Sequence, residues 1–292
     1  MKYLIFGANG QVGKALQALS LIPGDEMIFC TRADCDITQP EEVERVLIDY
    51  APKVVINCAA YTKVDLAEEE QEVAYLINAT AVENVALLCK KYNALLIHIS
   101  TDYVFSSNVP RQFLESDQPI PLNVYGASKL AGEIAIQKVN PKHLIIRTSW
   151  VFSIHGHNFV TAMLRLAEKH DTLEIVDDQR SAPTSASSLT GAIYKMASSA
   201  IINDIPFGVY HFCNFPYVSW YEFAYEIFRQ KSLIDESFDP PQVIPILSSQ
   251  YKQAAVRPKY SELGYTHTQN TTHITQTDWR KELVTILALN NP

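Results

Sequence analysis

The sequence contains no cluster of Lys or Arg, no HExxH-type motif and no internal repeat. Each absence removes a class of function. With 24 Lys and Arg against 32 Asp and Glu, a formal charge of -8, the chain offers no basic surface to a phosphate backbone. Nucleic-acid binding is therefore not expected. The amino-terminal "MKYLIFGANG" is apolar for only a few residues before a glycine, too short for a secretory h-region or a membrane span. A soluble, cytoplasmic protein with no membrane partner is expected. Cys30, Cys35, Cys58, Cys89 and Cys213 are odd in number, scattered and mostly set in apolar segments, the pattern of buried thiols in a reducing compartment. "HGH" at 155–157 lacks a third ligand and reads as a polar loop, so no metal site is expected.

Against these absences stands a hydrophobic content of 47% over 292 residues, enough for one large or two unequal domains. Short β-rich apolar runs at 2–6, 26–30, 53–59, 94–100 and 143–149 alternate with helical patterns at 12–18, 40–50, 72–92 and 125–138. Near-continuous apolar strands separated by helices imply a parallel sheet covered on both faces. The fold class is thus α/β, a Rossmann-like doubly wound parallel sheet. Residues 1–150 are expected to form this domain, the one in which a dinucleotide binds at the strand ends in such folds. Beyond 150 the chain turns rich in Pro, Ser, Thr and Tyr, as expected of a smaller C-terminal substrate-binding lobe over 151–292. Helical stretches near 188–200 and 220–230 return to the sheet or cap it, so the boundary is not sharp. The aromatic spacing of "WYEFAYEIF" (220–228) reads as core packing, and the acidic "DLAEEEQE" (65–72) as a solvated helix approach.

"GANGQVG" lies between the first predicted strand and helix. Gly7 permits a tight turn, Gly10 lets the backbone approach a pyrophosphate, and Gly13 lets the helix pack closely on the strand. The spacing is G-x-x-G-x-x-G rather than G-x-G-x-x-G, and its context carries the reading. At the tip of the second strand Arg32 stands where an NAD-type protein presents a carboxylate. A guanidinium there suits a 2′-phosphate and favours NADPH, with NADH as the alternative. Asp36 and Ile37 follow, positioned to flank the adenine.

"VYGASKLAGE" (124–133) sets Tyr125 and Lys129 on one helix face about 6 Å apart. A phenol titrates near pKa ~10, and a neighbouring ammonium is expected to stabilise its phenolate. Thr101 closes a predicted strand at the carboxyl edge, where ligands bind in such folds. Thr101, Tyr125 and Lys129 together can polarise a carbonyl and deliver a proton to it.

These motifs resemble the extended short-chain dehydrogenase/reductase superfamily, and within it the dTDP-4-dehydrorhamnose reductase family. "FGANGQVG", "INCAAYTKVDLAE", "STDYVF", "NVYGASKLAGE", "RTSWVF" and "DDQRSAPT" occur in that family's order over nearly the whole chain. The resemblance implies reduction of the 4-keto group of dTDP-4-dehydro-β-L-rhamnose to dTDP-β-L-rhamnose by a nicotinamide. It implies that Tyr125 donates the proton, that Lys129 holds the nicotinamide ribose and lowers the phenol pKa, and that Thr101 hydrogen-bonds at the reacting centre. Gly10, Gln11 and Val12 would line the pyrophosphate turn, Ala60, Tyr61 and Thr62 would contact cofactor, and Asp102 and Trp150 would touch the sugar.

Some positions depart from the family pattern. Arg180-Ser181 replaces a segment that often carries glycine, and Tyr260 stands where asparagine is common. Arg257 remains a candidate for the substrate diphosphate. Ala15 occupies the position of a glutamate that builds a magnesium-bridged dimer in some members, so a homodimer through that site is not expected. Another nucleotide-sugar reductase, an epimerase and a regulatory subunit stay open as readings, whereas a dehydratase is disfavoured. Nucleotide-sugar 4,6-dehydratases follow their threonine with Asp-Glu, whereas Tyr103 stands here after Asp102, which disfavours elimination. An epimerase uses the same tyrosine. The regulatory β subunit of methionine adenosyltransferase resembles these reductases and acts through a partner.

Overall fold

The structure is a computed structural model, and it describes residues 1–289. The chain runs through β1 (Lys2–Phe6), α1 (Gln11–Gln17), β2 (Glu26–Cys30), α2 (Pro40–Tyr50), β3 (Val54–Asn57), α3 (Val64–Ala67), α4 (Gln71–Tyr75), α5 (Ala81–Lys91), β4 (Leu95–Thr101), β5 (Gln112–Phe113), α6 (Val124–Val139) and β6 (His143–Thr148). It continues with β7 (Val151–Phe152), α7 (Phe159–Ala167), β8 (Thr172–Val176), β9 (Arg180–Ser181), β10 (Thr184–Ser185), α8 (Ala186–Ile201), β11 (Gly208–His211), β12 (Val218–Ser219), α9 (Trp220–Ile234), β13 (Gln242–Ile246), β14 (Glu262–Leu263), α10 (Thr266–Thr272) and α11 (Trp279–Leu289).

Six strands form one sheet in the order β2-β1-β3-β4-β6-β11, with every pairing parallel. Alternate side chains of each strand enter different cores, as the period of two requires. Tyr3, Ile5, Ile56 and Ile97 meet Leu16 of α1 and Leu189 and Ile193 of α8 on one face. Leu4, Phe6, Val55 and Leu96 meet Val43, Val85 and Ile136 of α2, α5 and α6 on the other. Because β2 and β3 flank β1 on opposite sides, the carboxyl ends of β1 and β3 bound a crevice at the topological switch point.

The helical pattern at 72–92 is interrupted: α4 and α5 are joined by a π turn over Leu76–Thr80. The buried Asn78 in that turn points inward, accepting from the Tyr61 backbone N–H at 2.9 Å and donating to Ser128 Oγ at 3.0 Å. By length and composition Gln71–Lys91 could cross a membrane. Its residues Val82, Val85, Ala86 and Cys89 are buried in the core against the sheet.

A third cluster gathers Phe152, Val160, Leu173, Phe223, Ile227 and Trp279 from β7, α7, α9, α11 and the parallel β8–β13 pair. Its strands escape the sequence reading because β13 pairs with a partner some 70 residues earlier and carries Pro245.

Helix α6 is seated by two close approaches, one to the turn after β4 and one to the π turn before α5. A Cβ at Gly126 would collide with the Tyr103 carbonyl oxygen, and one at Gly132 with the Asn78 carbonyl oxygen. Between β6 and α6, Arg147 and Glu133 form a buried pair, with Nε at 3.0 and 3.1 Å and Nη2 at 2.6 Å from the carboxylate; their side chains are 3% and 0% exposed. Glu133→Gln leaves that guanidinium buried without its counter-charge, and denaturant unfolding should record a loss of about 3–5 kcal/mol. The exposed pair Arg229–Glu226 should give under about 1 kcal/mol in the same assay. Equal, small losses would mean that α6 is not held by this pair.

Candidate active site

The carboxyl ends of β1, β3, β4 and β6 surround a cleft of about 550 Å³, lined among others by Gly10, Gln11, Val12, Ala60, Thr62, Thr101, Asp102, Tyr125, Lys129 and Trp150. A second pocket of about 280 Å³ shares Asn9, Gly10, Cys58 and Ala60 with it and adds Gly7, Arg32, Asp36 and Ile37. The two form one elongated trough running across the switch point. Gly7 sets the turn at its edge by close packing on the end of β3: it has φ +80°, and a Cβ there would lie 2.6 Å from the Ala59 nitrogen. Gly10 leaves the first turn of α1 without a side-chain cap. Gly13 lies outside both linings and packs against the Gly7 and Ala8 backbone. Arg32 is exposed and engages Asp36 through Nε alone, at 3.0 Å. These residues fit a dinucleotide with a phosphate near Arg32.

Thr101 is the last residue of β4 and caps the short turn that follows, accepting from the Tyr103 N–H at 3.1 Å. Its hydroxyl donates to Asp102 Oδ1 at 3.2 Å. Asn123 caps α6 through the Gly126 N–H at 2.8 Å, and Glu68 accepts from the Val124 N–H at 2.8 Å. Tyr125 thereby begins the helix beside Thr101, with its ring edge-on to Tyr103 at 5.8 Å. Burial pushes the Tyr125 phenol up to about 12, against the Thr101 hydroxyl, which pulls it down. Lys129 is 1% exposed, and its Nζ is turned to the Ile99 carbonyl at 2.7 Å and His98 Nε2 at 3.1 Å. Burial lowers Lys129 itself to about 8. The phenol thus lies above its ordinary value rather than below it as expected: desolvation dominates both groups.

Other expected contacts are redistributed. Asp102 is 2% exposed, and its Oδ2 accepts from Ser181 at 3.1 Å and from Ser261, so the carboxylate ties two later loops to the end of β4. Tyr61 and Arg257 do not line the trough. The Tyr61 phenol donates to Glu70 at 2.7 Å. Arg257 is clamped by Asp65, with Nη2 to Oδ2 at 2.6 Å and Nη1 to Oδ1 at 3.1 Å, and it interacts with Tyr103. In the acidic stretch Asp65, Glu68 and Glu70 thus clasp other elements, while Glu69 and Glu72 are exposed, as a solvated approach requires. Arg180-Ser181 forms β9 against β12, and Tyr260 bridges to Ser107 and Arg180 through its backbone, which tolerates the missing asparagine.

Trp220, His157 and Thr148 line the cleft without having been singled out by their motifs. Trp150, at φ +43°, stacks on Trp220 at 3.5 Å and 10°. "WYEFAYEIF" thus divides: Phe223, Ile227 and Phe228 are core, while Trp220 forms a cleft wall. The Thr148 hydroxyl is buried without a protein partner. Among the described residues no group of three or more His, Cys, Asp or Glu gathers to hold a metal ion.

A family model described as the RmlD substrate binding domain matches residues 1–291. The chain is 37% identical over 289 residues to the dTDP-4-dehydrorhamnose reductase of Aggregatibacter actinomycetemcomitans, covering 98% of each protein. It is 38% identical over 285 residues to the Escherichia coli K12 protein of that name, covering 96% of this chain and 95% of that protein. The crystal structure of the Bacillus anthracis dTDP-4-dehydrorhamnose reductase in complex with NADP superposes with a TM-score of 0.91 at 35% identity, covering 99% of both chains. A Brucella ovis UDP-glucose 4-epimerase with NAD, at 17% identity, TM-score 0.78, and 98% and 96% coverage, shares the fold.

Burial raises Asp102 to about 6, against the Ser261, Ser181 and Thr101 hydroxyls that lower it. Its folded pKa lies above the unfolded value, so its contribution to stability is fully present below about pH 4 and is lost as pH rises through about 6. The parent's stability relative to Asp102→Asn should fall by about 3 kcal/mol at most from about pH 4 to about pH 7.5. A pH-independent difference in denaturation midpoints would contradict the raised carboxyl.

Proposed function

We infer the reaction from membership: this chain belongs to the dTDP-4-dehydrorhamnose reductase family. It reduces the 4-keto group of dTDP-4-dehydro-β-L-rhamnose to the alcohol of dTDP-β-L-rhamnose. The observation that carries this reading is the meeting of Thr101, Tyr125 and Lys129 at the mouth of the glycine-bounded trough. NADPH, when bound, supplies the hydride. The chain holds it through the backbone at Gly7 and Gly10, with Gln11, Val12, Ala60 and Thr62 along its length, Asp36 and Ile37 beside the adenine, and the free Nη groups of Arg32 on the 2′-phosphate.

A phenol raised to about 12 stays protonated at working pH, which suits a donor: Tyr125 keeps its proton until a developing alkoxide demands it. The Thr101 hydroxyl hydrogen-bonds the same oxygen. Lys129 carries the positive charge that stabilises the phenolate left behind and meets the ribose hydroxyls. Trp150, braced by Trp220, presents an apolar face to the deoxysugar, and the loops joined at Asp102 close the sugar end. The lobe after residue 150 thus selects the sugar. Arg257, one residue behind the cleft wall at Tyr103, reaches the diphosphate on release from Asp65. Nucleotide sugars and reduced nicotinamide meet in the cytoplasm, the compartment this reaction requires.

Supplied with dTDP-4-dehydro-β-L-rhamnose and NADPH, the protein should oxidise the cofactor and yield dTDP-β-L-rhamnose in equal amounts. Tyr125→Phe should lower kcat by about 10²–10⁴-fold while still binding NADPH. Turnover of another keto sugar but not this one would keep the chemistry and replace the substrate. Arg32→Ala should raise KM for NADPH by about tenfold or more and leave NADH unchanged. Equal effects on both cofactors would remove Arg32 from the 2′-phosphate.

A further inference from the structure

We propose that Asn57 and His98 are positioning residues that present a ring N–H to the Lys129 amine, and so set the protonation state in which that lysine enters the reaction. The proposal rests on the reading of Tyr125 as proton donor, since the charge on Lys129 matters only if a phenolate must be stabilised.

Asn57 ends β3 and lies directly opposite His98 of β4 in the parallel register. Asn57, His98 and Lys129 are 1%, 0% and 1% exposed, so none of them can exchange a poor partner for water. The Ala59 backbone N–H can only donate, and it donates to Asn57 Oδ1 at 3.1 Å. Turning the amide over would set its NH₂ against that N–H, two donors face to face. Asn57 Nδ2 is therefore the atom 3.2 Å from His98 Nδ1, and an amide nitrogen donates only. It follows that Nδ1 is bare and accepting, and that the ring proton sits on Nε2.

His98 Nε2 lies 3.1 Å from Lys129 Nζ. An ammonium has three donors and no acceptor, so a charged Lys129 would meet this N–H donor to donor. A neutral amine accepts it through its lone pair and still donates to the Ile99 carbonyl at 2.7 Å. The chain from Ala59 through Asn57 and His98 to Lys129 is therefore fully directed only when the lysine is neutral. Charging Lys129 requires the imidazole to move its proton to Nδ1 and the Asn57 amide to turn, which breaks the bond to Ala59. The pair acts as a bias toward the free amine.

The surrounding charges do not reverse this bias. Lys129 is lowered to about 8, first by burial, with Glu133 on its own helix and Cys58 after β3 acting in the opposite direction. The Glu133 carboxylate is already engaged by Arg147 of β6 and Ser100 of β4. His98 is held well below its ordinary value by burial and by Lys129, so it stays neutral. The remaining neighbour on α6, the Tyr125 phenol, is neutral at the same pH. Because the ammonium is the form that supports the Tyr125 phenolate, Asn57 and His98 together fix the alkaline limit of reduction.

The first test needs no substrate. Long-range ¹H–¹⁵N correlation of the full-length protein, with the His98 ring assigned by its loss in His98→Gln, should show the Nε2–H tautomer. An Nδ1–H ring or a doubly protonated one in the parent overturns the proposal, whatever the protein's activity. The second test is Asn57→Asp, nearly isosteric, whose carboxylate still accepts from Ala59 but also accepts from His98 Nδ1. The ring should switch to Nδ1–H, Nε2 should become an acceptor for the Lys129 ammonium, and the alkaline limb of kcat should move up by about one unit or more. A limb that moves while the tautomer does not would assign the effect to the added charge alone and overturn the proposal. Should the variant fail to fold, the parent's tautomer still decides. A protein inert toward the keto sugar but carrying the Nε2–H ring would refute the reductase reading and leave the tautomer argument standing.

Discussion

The close seating of α6 on the carboxyl end of the sheet is the constraint on which the site depends. Two glycines let the helix backbone approach the Tyr103 and Asn78 carbonyls where no side chain would fit. A buried guanidinium–carboxylate pair then fastens the same helix to β6, and Asn123 with Glu68 fixes its first turn. A helix held this way delivers Tyr125 and Lys129 to the end of β4 with little freedom, which is how an active site avoids the cost of ordering its groups during the reaction. The π turn at Leu76–Thr80 belongs to the same arrangement, because the inward Asn78 both receives α6 and ties it to the Tyr61 backbone.

That seating decides the electrostatics. The phenol, the amine, the imidazole and the Asp102 carboxyl are all withdrawn from water, and in each case burial is the largest influence on the pKa. Every group is displaced toward its neutral form, the direction desolvation imposes. A site whose acids and bases are shifted this way at the end of a parallel sheet is poised to move a proton when charge develops on a ligand. The later part of the chain joins it through hydroxyls: Ser181 and Ser261 on Asp102, and Ser149 Oγ donating to the Ala182 carbonyl at 2.6 Å.

Much of this was legible because it is local. Strands at 2–6 and 26–30 match their apolar runs residue for residue, and the glycine loop, Arg32, Thr101, Tyr125 and Lys129 come to one trough as strand-end positions in a parallel sheet must. What was hidden depends on distant partners. The four-residue strand β11 carries too few residues for a period to show and is defined by its pairing with β6. Trp220 follows a helical aromatic pattern in which Phe223 and Phe228 are core, and only the fold at Trp150 turns it to the cleft. Asp65 and Arg257 are 192 residues apart, so Asp65 reads as solvated until its cation is found. The phenol's pKa lies above its ordinary value for a related reason: helical spacing brings the lysine near, but the burial that raises the phenol is set by tertiary packing, and the lysine Nζ is turned inward to His98 and Ile99.

The central claim is that α6 brings the Tyr125 phenol and the Thr101 hydroxyl to one reacting oxygen. A crystal structure with NADP⁺ and the reduced dTDP-sugar tests it most directly. The C4 oxygen should lie within about 3 Å of both Tyr125 Oη and Thr101 Oγ1, with the nicotinamide C4 facing the sugar carbon. A product bound with that oxygen remote from Tyr125, or with the phenol turned into the core, would contradict the account.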